Sequence, residues 1–162
     1  MNTVTELGLL CDDSIEFKIG LVGTASLIGM AFGGVFLPLL DLYGRRKIQL
    51  YLSAVQVICQ LILLVSVHLA KSYIMTVVVV FLSSTAGAAR VAAVFALMQE
   101  QLSSPMIKKV APLIFCVQDA LNTVLVCLLF YMTGSSLLMY TFATVACAVL
   151  FIAGDYWALE SP

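Results

Sequence analysis

Five long apolar stretches, separated by short polar connections, constrain what this chain can fold into. Each is close to the roughly 20 residues that a helix needs to cross the apolar core of a bilayer. Of the 162 residues 62% are hydrophobic and 10% are charged, whereas soluble domains contain about 25% charged residues. The sequence therefore predicts an all-α, polytopic transmembrane helix bundle of about five spans, over residues 18–40, 48–68, 73–98, 110–132 and 136–156.

Basic residues near the ends of these stretches predict how the bundle lies in the membrane, because they favour the cytoplasmic side. One side of the bundle carries Arg45, Arg46, Lys47, Lys108 and Lys109, and the other carries Lys18 and Lys71. We therefore expect an extracellular segment over residues 1–17, the bundle over 18–157 and a cytoplasmic tail over 158–162. The plasma membrane is the favoured location.

A charged turn, with the sequence DLYGRRK over residues 41–47, lies between the first two stretches. Gly44 can adopt the left-handed conformation that ends a helix, and an orientation anchor would explain the bases alone. It would not explain an Asp, a Gly three residues later and then three bases. This combination resembles the signature loop between the second and third helices of major facilitator superfamily transporters. The matching residues are Asp41, Gly44, Arg45, Arg46 and Lys47, whereas Leu37 and Leu42 stand where the family has Gly and Arg.

Two weaker matches point to the same superfamily. Residues 5–12 are similar to the extracellular segment before the second helix of organic cation and anion transporters. Glu100, followed by Pro105 and the pair Lys108 and Lys109, is similar to the pattern after the fourth family helix. The resemblance implies that Asp41, the adjacent bases and Glu100 form a cytoplasmic gate, whose charge pairs break and form again during alternating access.

The resemblance implies transport of a small solute, an organic ion or a sugar, without a cofactor. It aligns the five stretches with family helices two to six. Family transporters hold substrate between two half-bundles, so we expect a second chain or a missing half to complete this one. Three interpretations stay open: a fragment of a longer transporter, a split transporter, or a structural subunit of a larger membrane complex that does not transport.

Polar side chains inside the apolar stretches are candidate binding residues, because charged groups cost about 2.5–3.5 kcal/mol there. Arg90 and Asp119 lie at equal distances from the middle of the connection between their stretches, so we expect them to pair, although each could instead face a wet cavity. A helical stripe of Gln49, Ser53, Gln56 and Gln60 either holds helices together or lines a path. The candidate pathway residues are Gln56, Gln60, Arg90, Gln118, Asp119 and Asn122.

Small residues predict where helices approach each other closely in lipid. Gly29 and Gly33 form a GxxxG pair in the first stretch. The third stretch has one row of Ser84, Ala88, Ala92 and Ala96 and a second row of Thr85, Ala89 and Ala93. We interpret these rows as helix-packing surfaces.

Several functional classes are disfavoured by the sequence. A net charge of −1 offers no basic face for nucleic acid. One His and no Cys pair at ligand spacing give a metal site no support. Neither a phosphate-binding loop nor a nucleophile motif is present, so we do not expect an enzyme. The expected partners are the lipid bilayer and a small-molecule solute.

Overall fold

The computed structural model describes residues 7–8, 14–36, 38, 42–101 and 104–157, and no strand occurs among them. This part of the chain forms five long α-helices: α1 Ile15–Gly33, α2 Arg45–His68, α3 Tyr73–Gln101, α4 Ser104–Thr133 and α5 Ser136–Trp157. Pro38, Leu42 and Tyr43, between α1 and α2, are also helical. The helices occupy the five apolar stretches. The predicted all-α helix bundle is therefore confirmed.

Among the residues that the structure describes, three segments are long and apolar enough to cross a membrane. They are Ile15–Phe36, Lys47–His68 and Tyr73–Ala96, with mean hydropathies of 1.8, 2.2 and 1.9. Within the described residues α5 contributes a shorter apolar segment, Ser136–Ala146. Large apolar side chains such as Phe17 and Leu27 are exposed on the outside of the bundle. These surfaces are compatible with a protein that lies in lipid.

The first helix ends earlier than the apolar stretch that contains it. α1 gives way to a 3-10 turn over Gly34–Phe36, before the predicted boundary at residue 40. Gly is a poor helix former, and Pro38 has no N–H to donate to the carbonyl of Gly34. α1 therefore tightens into the 3-10 turn although the side chains remain apolar, and Pro38 is again helical.

Helix α3 lies between α1 and α2 and contacts them with opposite faces. α1 and α3 run parallel, since the Tyr73 hydroxyl donates to the carbonyl of Lys18 (2.9 Å) near their starts. Further along, the hydroxyls of Ser26 and Ser84 are 2.9 Å apart. α2 and α3 form an antiparallel hairpin, and near its turn the Thr76 hydroxyl donates to that of Ser66 (3.3 Å).

Helix α5 packs against α2 on the side away from α1. A buried cluster of Cys59, Leu63 and Val67 from α2 and Val79 from α3 contacts Tyr140 of α5. The rings of His68 and Tyr140 meet edge to face at 6.0 Å, which places the end of α2 beside the start of α5. α4 makes few contacts with α3 and α5 in the part of the chain that the structure describes.

The α1–α3 contact is close because both helices present small residues to each other. A Cβ on Gly29 would lie 2.5 Å from the carbonyl oxygen of Phe81. A Cβ on Gly33 would lie 2.6 Å from the Cβ of Ala88 and 3.0 Å from the backbone nitrogen of Ala89. The glycine pair and the small-residue rows of α3 therefore form one packing surface, as the sequence predicts.

We expect Gly29→Ala to destabilise the protein by about 1–3 kcal/mol, because the added methyl group would collide with the backbone of α3. Gly23→Ala is the matched control, since a Cβ at Gly23 meets nothing within 4 Å. That control should be neutral or stabilising by up to about 1 kcal/mol through helix propensity. Thermal unfolding of the detergent-purified proteins measures both changes, and equal stabilities of the two variants would contradict the close contact.

Candidate functional site

A polar stripe on α2 faces α3 inside the bundle. Its members Ser53 and Gln56 are 8% and 9% exposed, and Gln49 lies one further turn toward the start of the helix. The Gln56 side-chain amide Nε2 donates to the hydroxyl of Ser83 on α3 (2.9 Å). We use the name α2–α3 seam for Gln49, Ser53 and Gln56 of α2 together with Ser83, Gly87 and Arg90 of α3.

Two buried amide oxygens of the α2–α3 seam lack hydrogen bonds. Within the described part of the chain, neither Gln49 Oε1 nor Gln56 Oε1 has a hydrogen-bond partner. A buried acceptor left in this state costs roughly 1–3 kcal/mol. A donor that bonded either oxygen would therefore stabilise the seam.

Gly87 leaves room for a methyl group beside one of these oxygens. A Cβ on Gly87 would lie 3.5 Å from Gln56 Oε1. No other described atom of a neighbouring helix would lie within 4 Å of it. Any larger residue at this position would fill the space next to the acceptor.

Arg90 lies on the same face of α3 as Ser83. It follows Ser83 by seven residues, and Gln49 precedes Gln56 by seven, which is nearly two helical turns or about 10 Å. In an antiparallel pair this spacing brings Gln49 and Arg90 to the same level of the seam. Arg90 is half-buried, and it forms no hydrogen bond or ion pair with any described residue. It lies about 9 Å inside the span that ends at Ala96.

The remaining predicted pathway residues are divided between two helices. Gln60 is half-buried on α2, one turn beyond Gln56. Gln118, Asp119 and Asn122 belong to α4, but their side chains lie outside the described part of the structure. The pairing of Arg90 with Asp119 therefore stays a prediction.

The predicted gate residues that the structure describes lie at one end of the bundle. Arg45, Arg46 and Lys47 begin α2, and Glu100 lies in the last turn of α3, so the antiparallel hairpin brings them to the same end. Lys47 is exposed, whereas Asp41 and the side chains of the other three lie outside the described residues.

The backbone of the charged turn depends on Gly44. This residue has φ +87°, a conformation that L side chains rarely adopt, and it directly precedes α2. Arg45 and Arg46 therefore stand at the helix end with partial positive charge, where the helix dipole does not favour them. The helix dipole therefore does not explain the bases, whereas the predicted membrane orientation or the predicted gate would.

Sequence reasoning left Gln49, Ser83 and Gly87 out of the candidate pathway. The shared spacing of seven residues, from Gln49 to Gln56 on α2 and from Ser83 to Arg90 on α3, is the signal that could have identified this face. It has meaning only once the antiparallel register is known.

No protein-family model, curated protein or solved structure matches the chain. The resemblance to major facilitator transporters therefore rests on the motifs of the sequence.

We expect Gln56→Leu and Ser83→Ala to be coupled by about 0.5–1.5 kcal/mol in a double-mutant cycle, because each removes the same interhelical hydrogen bond. Unfolding in detergent measures the four proteins of the cycle. Gln56→Leu combined with Ser84→Ala is the control, because Ser84 contacts Ser26 on the opposite face of α3. That pair should be additive within about 0.5 kcal/mol, and equal coupling in both cycles would argue against the hydrogen bond.

Proposed function

We propose that this chain forms one half-bundle of an alternating-access transporter for a small solute. The observation that carries the proposal is the α2–α3 seam, where a half-buried Arg90 and two unsatisfied amide oxygens lie inside predominantly apolar helices. Polar groups at this depth are expensive and are functional candidates by default. If these positions only packed helices together, apolar side chains would do so at a lower free-energy cost.

The charged turn supports a major-facilitator type of transporter. Its bases begin α2, and Glu100 closes α3 at the same end of the bundle. Charge pairs between these segments and Asp41 would hold the cytoplasmic side closed and would separate when it opens. In such transporters the solute lies between two half-bundles. We therefore propose a second bundle, on the same or another chain, as the partner of this one.

The α1–α3 contact supports movement of the half-bundle as a rigid unit. Gly29 and Gly33 bring the backbones together with no space for repacking, and the Ser26–Ser84 contact adds a polar link. Alternating access requires such units, because one bundle rocks against the other around a fixed site.

A second candidate is a structural subunit that does not transport. It is favoured by α4, whose described apolar side chains, including Leu113, Leu121 and Tyr131, are largely exposed. α4 also has few contacts with the rest of the described bundle. A helix held so sparsely would suit docking against another membrane protein.

Solute flux separates the two candidates. Membrane vesicles from cells expressing the full chain should take up a member of a panel of organic cations, organic anions and hexoses faster than vesicles from control cells. Asp41→Asn should reduce that uptake by about tenfold or more, since a charge pair worth more than about 1.4 kcal/mol is removed from the gate. Glu16→Gln, an exposed carboxylate near the other end of the bundle, should leave it unchanged. Unchanged fluxes, with the chain purifying in a stable large complex, would favour the structural subunit.

We also propose that α1 begins outside the cell and that the chain ends in the cytoplasm, at the plasma membrane, because five bases against two favour this orientation. In a protein whose native cysteines are replaced by Ser, Lys71→Cys should react with a membrane-impermeant maleimide in intact cells. Lys109→Cys, also at an exposed position, should react only after permeabilisation. The reverse pattern would contradict the orientation.

A further inference from the structure

The α2–α3 seam contains both a strong donor and unsatisfied acceptors. We propose that it binds a small carboxylate that also carries a hydroxyl or ammonium group. Arg90 would bind the carboxylate, and the side-chain oxygen of Gln56, beside Gly87, would accept a hydrogen bond from the second group. This inference rests on the proposed transport function and names the class of solute.

Arg90 sets the requirement for an anion. Its guanidinium is charged at any physiological pH, and its planar array of donors matches the two oxygens of a carboxylate. No described residue neutralises it, although a lone cation at this depth is costly. A carboxylate delivered by a solute would satisfy both the charge and the donors.

The side-chain oxygen of Gln56 sets a second requirement, because it can only accept hydrogen bonds. The Ser83 hydroxyl already contacts the nitrogen of Gln56, and Gln56 Oε1 remains without a donor among the described residues. A simple carboxylate such as acetate would leave Gln56 Oε1 unsatisfied. A hydroxyl or ammonium group on the same solute would supply the missing donor.

The geometry of the seam limits the solute to a few carbon atoms. The Arg90–Gln49 level and the Gln56–Ser83 level are about 10 Å apart along the helices, and the long side chain of Arg90 shortens the distance that a ligand must bridge. Gly87 lies between these levels on α3 and leaves the space beside Gln56 open. Arg90 and Gly87 are both half-buried.

Thermal-shift titration of the purified full chain in detergent tests the proposal with four probes. L-lactate and L-serine carry both required groups, acetate has only the carboxylate, and glycerol has only hydroxyls. We expect lactate or serine to raise Tm in a saturable manner, acetate to bind at least tenfold more weakly and glycerol to have no saturable effect. Equal responses to all four probes, or no response to any, would overturn the proposal.

Substitutions locate the site on the seam. Arg90→Gln should abolish the response, and Arg90→Lys should raise Kd by about tenfold, because it keeps the charge and loses the bidentate geometry. Gln56→Leu should reduce the preference for lactate over acetate. Gly87→Val should weaken binding by filling the gap, whereas Lys109→Gln, an exposed charge on α4, should change nothing. An unchanged Kd in both Arg90 variants would overturn the proposal.

Asp119 is the competing source of a carboxylate for Arg90, and Asp119→Asn distinguishes the two. If Arg90 is held by Asp119, the native chain should not respond to the probes, the Asp119→Asn variant should respond, and Arg90→Leu should express better when Asp119→Asn accompanies it. Those results would overturn the proposal in favour of the internal pair. Comparable binding by the native chain and the Asp119→Asn variant would support the solute site.

Measurements of binding and of uptake distinguish failure of the proposed solute site from failure of the proposed transport function. Saturable binding that depends on Arg90, without uptake in any membrane preparation, would support the site and reject the transport function. Uptake of a solute at the same rate in native and Arg90→Lys proteins would support transport and reject this site.

Discussion

Helices in lipid gain nothing from burying apolar surface against one another, so this bundle depends on close backbone contact and on polar pairs. α3 supplies both. On one face its small residues let Gly29 and Gly33 of α1 approach its backbone. On the opposite face Ser83 accepts a hydrogen bond from Gln56 of α2. The positions of α1 and α2 follow from these two contacts, and α5 is positioned in turn by α2.

The two faces of α3 differ in how closely they pack and in how completely their polar groups are hydrogen-bonded. Toward α1 the atoms are too close to admit a methyl group, and the hydroxyl of Thr85 is bonded within its own helix, to the carbonyl of Phe81 (2.8 Å). Toward α2 the packing leaves a gap at Gly87 and two acceptors without donors. The first face is therefore structural. Only the second combines room for an added methyl group, at Gly87, with buried acceptors that lack donors.

Much of the bundle could be predicted from the sequence, because a long apolar stretch in a chain of this composition has few alternatives to a helix. The end of α1 could not be predicted in this way, since hydropathy does not register the effect of Pro38 on the carbonyl of Gly34. The small rows of α3 indicated close packing and the structure confirms it. Which helix each row would meet was undetermined, because Gly29 and Gly33 could have packed against any small surface.

The candidate site was predictable only in part. The stripe that contains Gln56 is visible in the sequence, but its partner is not, because α3 offers several hydroxyls at similar depth. Only the register of the hairpin selects Ser83 over Ser84. The unsatisfied state of the Gln49 and Gln56 oxygens depends on distances between individual atoms, and no spacing rule supplies those distances.

The register of α2 against α3 also links the charged turn to the α2–α3 seam. Gln49 follows Arg45 by four residues, about 6 Å along the same helix, and Arg90 and Glu100 share α3. A shift of α2 by one residue along its axis would move Gln49 about 1.5 Å past Arg90, enough to make or break a hydrogen bond. Any rearrangement of the turn that slides or tilts α2 must therefore alter the seam, and a ligand that fixes the seam must resist that rearrangement. In a transporter this coupling would join the state of the gate to the occupancy of the site.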